Sequence, residues 1–261
     1  MSLIMIEPPS FSQPEKAKFE TIQTFKTREA RQGIAVDKGY FYTINSKSIC
    51  KYEKKSGELI TEWKDTSKSI IHFDGGVIVD EKLYCAHSNF PGIPMTSSIE
   101  VFTAGNLEHV YSHSFGIKYG SCTWADYYHN HWWVCFANYD QFERQTNQNT
   151  AWTLLVKFDV NWNEKDSWTF PENVLSEFKP MSCSGGSWGP DGNLYITGHD
   201  NAKIYIMQIP EMGSVLELIK TMKVEIFGQG IAWDRSEKNN LYGIIRKENL
   251  VVVSKLSPGG K

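Results

Sequence analysis

QGIAVDKGYFYTIN (residues 32–45), GGVIVDEKLYCAHSN (75–89), SCTWADYYHNHWWVCFAN (121–138), GGSWGPDGNLYITGHD (185–200) and QGIAWDRSEKNNLYGIIRK (229–247) are five versions of one pattern. Each has a small residue, a short apolar run, a tight turn, and a second run centred on an aromatic. The turns carry Lys38-Gly39, Asp80-Glu81, Asn130, Pro190-Asp191-Gly192 and Asn239-Asn240. Such residues tolerate the backbone angles that a hairpin demands. The flanking runs are rich in β-branched and aromatic side chains, the composition of strands. Two more strand-like runs follow in each of the first four units: SICKYEK and LITEWK, SIEVF and EHVYSHSF, WTLLVKFD and KDSWTF, AKIYIMQI and VLELIKTMKV. The fifth unit continues only with LVVVSKL.

The units start near 32, 75, 121, 185 and 229, at intervals of 43, 46, 64 and 44 residues. That is close to the four-strand period of a propeller blade, with one insertion. The strand missing from the fifth unit is found ahead of the first, in KFETIQTFK (18–26). Placed outermost in the last blade, it closes the ring and removes an open sheet edge. The expected fold is therefore all-β: a single five-bladed β-propeller over 18–256, with an N-terminal extension (1–17) and a short tail (257–261). An irregular β-sandwich is the competing architecture. Only PENVLSEF (171–178) reads as a helix.

Of 261 residues, 27 are basic and 30 acidic, a net charge of −3. That balance is not that of a phosphate-backbone binder, so no nucleic-acid partner is expected. Hydrophobic residues make up 41% and charged ones 22%, which excludes a disordered chain. No apolar run is long enough for a membrane helix, and no membrane partner is expected. The first residues lack a basic, then apolar, signal pattern. The expected location is cytoplasmic, or secreted if a signal peptide has been removed. Five cysteines (Cys50, Cys85, Cys122, Cys135, Cys183), spread over apolar strands, read as free buried thiols. A Cys122–Cys135 pair is the one bridge left open. The oligomeric state is open too, a monomer being compatible with everything above.

In a propeller blade the one-to-two and three-to-four hairpins lie on one rim; the other connections lie on the opposite rim. Sorted that way, the first rim has only tight turns. The second collects Ser88–Thr96, Asn138–Ala151 and Pro171–Ser184. Long loops gathered on one face of a rigid scaffold are where sites are built. His72, His87 and His199 fall on this rim and are the candidate acid/base groups, with Tyr119 beside them. They are also the candidate ligands of a divalent metal, the one cofactor left open. Asp74 and Asp200 would orient the rings. Arg31, Gln32, Asn89, Phe90, Asn138, Gln229 and Arg246 are candidate substrate contacts, Arg246 suiting a carboxylate. Cys183, beside a Gly-rich turn, is a weaker nucleophile candidate. Trp124, Trp132, Trp133, Trp188 and Trp233 recur at blade positions and are read as packing between blades. His109, His113, His129 and His131 fall elsewhere. No nucleotide, flavin or quinone signature is present.

The runs KLYCAHSNFPGIPMTSSIEVF, HWWVCFANYD, CSGGSWGPDGNLYITGHD and GQGIAWDRSE resemble an uncharacterised propeller group labelled cycloisomerase-like. This group stands within the broad superfamily of gluconolactonase-like, quinoprotein-like and YVTN-repeat propellers. The resemblance covers about residues 30–256 and carries no catalytic residue across. Its lactonase branch holds calcium through acidic and Asn ligands, which would give Asn45, Asn89 and Asn138 such parts; no first strand here supplies a rim glutamate. The expected function is an enzyme acting on a small organic molecule, an isomerase, lyase or hydrolase of a carbonyl- or carboxylate-bearing compound. The alternative is a non-catalytic binding module for a sugar or protein partner.

Overall fold

The computed structural model describes residues 17–140 and 148–257. The expected extension (1–17), apart from Ala17, and the end of the tail (258–261) lie outside the described residues, as does 141–147 within the longest loop. Five four-stranded antiparallel sheets form the ring. Blade one is β2 (Gly33–Val36), β3 (Tyr40–Asn45), β4 (Ser48–Glu53) and β5 (Leu59–Lys64). Blade two is β6 (His72–Val79), β7 (Lys82–Ser88), β8 (Ser97–Thr103) and β9 (His109–Gly116). Blade three is β10 (Ser121–Tyr128), β11 (His131–Ala137), β12 (Leu154–Phe158) and β13 (Glu164–Thr169). Blade four is β14 (Gly185–Trp188), β15 (Leu194–Thr197), β16 (Lys203–Gln208) and β17 (Glu217–Lys223). Blade five is β18 (Ala232–Trp233), β19 (Asn240–Ile245), β20 (Leu250–Ser257) and, on its outside, β1 (Lys18–Lys26). The register runs from Lys18 opposite Ser257 to Lys26 opposite Leu250. The ring is thus closed by the N-terminal strand, as the repeat count required.

The core is distributed over the five seams between blades. Trp124, Trp133 and Trp188 pack in the seam of blades three and four, Trp132 in that of two and three, and Trp233 in that of four and five. All five are buried, so the repeated tryptophans are packing residues. Phe25 of the closing strand reaches Phe41 of blade one, with ring centroids 4.8 Å apart, and ties the ends of the ring together. All five cysteines are buried and free, Cys122 and Cys135 included. Among the described residues the one α-helix, α1 (Glu172–Phe178), follows Pro171 and buries Val174, Leu175 and Phe178.

The small residue that opens each repeat has a steric cause. The innermost strands meet so closely that a Cβ on Gly33 would lie 2.4 Å from the Asp74 carbonyl oxygen. One on Gly185 would lie 2.3 Å from that of Gln229. Towards the short-turn rim the axis is filled as well. The cavity among Ile78, Asp126, Ser187, Trp233 and Arg235 is only about 10 Å³, room for about one water. There Asp126 (blade three) accepts from Ser187 Oγ and Trp188 N–H (blade four), at 3.1 and 2.8 Å. Both its oxygens also receive Arg235 Nη2, after β18 of blade five, at 2.8 Å. The axis is plugged on this side.

Candidate functional site

The long-loop rim is organised by side chains that satisfy loop backbone. Asn89 donates to the Pro94 carbonyl and accepts from Thr96 N–H. Asn138 donates to the carbonyls of Tyr119 and Trp152. The asparagines that the resemblance would make calcium ligands are committed in this way; Asn45 donates to Glu29. The loops so held bring Phe90, Met95, Tyr139 and Met181 into one small apolar cluster with Ala137. This cluster belongs to none of the five seams.

Beside it lies His72, the first residue of β6. Its ring sits 5.3 Å from that of Phe90, which in turn lies 5.0 Å from Tyr139. His72 Nε2 is 3.4 Å from Asp74 Oδ1, and Nδ1 is 3.2 Å from Ser46 Oγ. Gln32 Nε2 donates to the same Ser46 oxygen at 3.2 Å. Asp74 is only 6% exposed, and its second oxygen, Oδ2, is buried without a hydrogen-bond partner. Burial pushes the His72 ring towards lower pKa and the Arg246 charge adds to that. The charge and hydrogen bond of Asp74 outweigh both and hold it above the ordinary histidine value. Tyr139 is held far above the ordinary phenol value, first by burial and then by the Asp74 charge.

The other two candidate histidines do not join this group. Phe73 pairs with His87 across the β6–β7 ladder, so the His87 ring follows Phe73 towards the seam of blades one and two. There Nε2 accepts from Ile71 N–H at 3.1 Å, and Nδ1 meets Ser98 Oγ, which donates to Glu100. Burial pushes the His87 pKa down, against the pull of Glu100. His199 lies at the blade four–five edge, with Nδ1 2.5 Å from Asp200 Oδ2 and Nε2 accepting from Arg246 Nη1 at 2.9 Å. Arg246 is thereby tied to His199. Gln229, at a positive φ of 68°, donates its side-chain amide to the His199 carbonyl. Among the described residues no group of three or more His, Cys, Asp or Glu is placed to hold a metal ion.

Tyr119 is turned away from the rim, donating to Glu164 of the outermost strand at 2.6 Å and stacking on Phe136. It does not stand with His72. Arg31 and Asp200 are exposed. Cys183 is buried and its sulfur accepts from Trp124 Nε1 at 3.3 Å, a packing role in place of the nucleophile. Of the expected residues the structure brings together His72, Asp74, Gln32 and Phe90, with Tyr139 and Ser46 beside them. Tyr139 was signalled by an aromatic directly after Asn138 at the mouth of the longest loop. Ser46 carried no signal; it lies in the two-residue turn between β3 and β4, which looks like any other hairpin.

No family description matches the chain, and none of the curated proteins does. Solved structures share its shape. A PQQ-bound aldose sugar dehydrogenase from Streptomyces coelicolor is similar with a TM-score of 0.54 and 10% identity, over 90% of this chain and 80% of that one. The Cps50 (Swd1) β-propeller domain of Myceliophteria thermophila is similar with a TM-score of 0.45 and 9% identity, over 87% and 82%. Kuenenia stuttgartiensis hydrazine synthase gives 0.49 and 12%, over 83% and 68%. At 10% identity the likeness to the dehydrogenase is one of fold alone.

Proposed function

We propose that the protein is an enzyme acting on a small carbonyl- or carboxylate-bearing molecule at the long-loop rim, with His72 as its acid–base group. The observation that carries this reading is the His72–Asp74 pair: a histidine held above its ordinary pKa by a buried carboxylate with a spare oxygen, beside an apolar cluster of loop residues. A ring so placed can take a proton from a substrate carbon or water and return it, while Asp74 fixes the ring's orientation. Phe90 and Tyr139 supply the apolar contact that a small ligand needs. Proton transfer of this kind agrees with the resemblance to cycloisomerase-like propellers. Five buried free thiols support a reducing compartment.

The test is a screen of lactones, enol-forming ketones and unsaturated acids against the wild type, His72→Ala and Asp74→Asn, with circular dichroism on each. Loss of kcat in both variants with the fold retained supports the reading. Turnover that survives His72→Ala refutes it. The apolar cluster alone favours a second reading, a binding module for a sugar or protein partner. In that case Phe90→Ala abolishes affinity and His72→Ala leaves it intact.

A further inference from the structure

Ser46, His72 and Asp74 stand in one line: Oγ to Nδ1 3.2 Å, Nε2 to Oδ1 3.4 Å. We propose that Ser46 is a nucleophile and that the site carries out acyl transfer to water, hydrolysing an ester or lactone. The inference rests on the acid–base reading of His72 given above and extends it to the nucleophile.

The hydrogen-bond logic fixes the direction of the proton. The Asp74 carboxylate lies 3.4 Å from Nε2 and favours the tautomer with the His72 proton on that nitrogen. Nδ1 is then a lone pair, and the hydroxyl hydrogen-bonded to it among the described residues is that of Ser46. Gln32 Nε2 donates to the Ser46 oxygen at 3.2 Å, which leaves the Ser46 proton to point at His72. The three roles of a nucleophile, a base and an orienting carboxylate are thus filled. The ring nitrogens exchange the parts they play in serine proteases, where Nδ1 faces the acid. Distances slightly beyond 3 Å are usual before a substrate draws such groups together.

The reaction balances with water alone. Ser46 Oγ bonds to the carbonyl carbon as its proton moves to Nδ1, and the carbonyl oxygen takes up the negative charge. The ester C–O bond then breaks, and the proton on Nδ1 goes to the departing alkoxide. Water repeats the attack on the acyl-serine, giving its proton to Nδ1, and the Ser46–acyl bond breaks with return of that proton to Oγ. The products are one carboxylic acid and one alcohol from an ester, and a single hydroxy acid from a lactone. Gln32, whose amide already donates to Ser46 Oγ, is the side-chain donor assigned to the charge that builds up. The spare oxygen of Asp74 stays buried beside the ring throughout, where its charge favours the protonated imidazole that forms at each step.

The test is labelling of the intact protein with an alkyl fluorophosphonate, located by peptide mass spectrometry, with p-nitrophenyl acetate hydrolysis read in parallel. Expected is an adduct on Ser46 in the wild type and in Tyr119→Phe, and none on Ser46→Ala. His72→Ala should be labelled far more slowly. Hydrolysis should fall by roughly 10³-fold or more in Ser46→Ala and His72→Ala. A wild type that labels on another residue, or not at all, overturns the nucleophile. If His72→Ala still abolishes a proton-transfer turnover found in the wider screen, the acid–base reading stands without Ser46. If neither labelling nor His72-dependent turnover is found, both fall.

Discussion

Replacing Asp126 by alanine tests the plug that joins three blades at the axis. Asp126 is 1% exposed and accepts across blades from Ser187 Oγ, Trp188 N–H and Arg235 Nη2, and within its own strand from the half-buried Tyr127 N–H, whose share is small. In the variant the Trp188 amide loses its partner in a buried setting, which costs about 1–3 kcal/mol. Ser187 loses one acceptor but keeps its bond from Trp233 N–H, so its share is smaller. Arg235 is 44% exposed along its side chain and turns to water, so the lost ion pair adds only about 1 kcal/mol. The sum is about 3 kcal/mol. For a chain of this size that lowers Tm by roughly 6–12 °C. Urea unfolding followed by tryptophan fluorescence should show the midpoint moving with the slope unchanged, because the same surface is exposed. The His72 resonance, at the other end of the axis, should stay where it is. A loss under about 1 kcal/mol would refute the claim that these bonds join the blades.

Phe25→Ala in the closing strand should cost roughly 3–5 kcal/mol, the usual toll for a buried phenylalanine. Denaturant melts measure it; a cost near zero would mean that β1 is not closing the ring. His72 should titrate above the ordinary histidine value by NMR and fall below it in Asp74→Asn, where burial and the Arg246 charge are left unopposed. Its raised pKa contributes stability that is complete below the unfolded value and lost as pH rises through the folded one. His87 should titrate below the ordinary value, so its contribution has the opposite sign: it is present at higher pH and lost as pH falls through the two values. A single NMR titration of both rings checks the two directions. All five thiols should be silent to a thiol reagent in the native protein and react together once urea unfolds it. A fast-reacting native thiol would contradict their burial.

The architecture could be read from the chain because a blade writes its geometry into sequence. Small residues such as Gly33 and Gly185 stand where strands meet at the axis, and turn residues stand at fixed offsets behind them. Even the closing strand followed from counting. The site was less legible. The nearness of His72 to Asp74 could be read because they stand at the entrance to a first strand, where position along the chain decides position in space. Tyr119 was misplaced because a residue just before a strand points outward or inward according to a twist that no local pattern encodes. Convergence of His72, His87 and His199 failed for a related reason: Phe73 and His87 share a ladder rung, and that rung faces a seam. Ser46 was invisible because its partner is 26 residues away on another blade.

The pairing of β1 with β20 also sets a schedule. The first described strand to leave the ribosome must wait for the last before it finds its neighbour. At roughly 5–20 residues per second the intervening 230 or so residues take on the order of 10–50 s to appear. Through that time the strand lies unpaired and four blades assemble without a closed circle. Its turn towards solvent is mostly polar or charged (Glu20, Thr21, Gln23, Thr24, Lys26), a composition that discourages strand-to-strand adhesion between nascent chains.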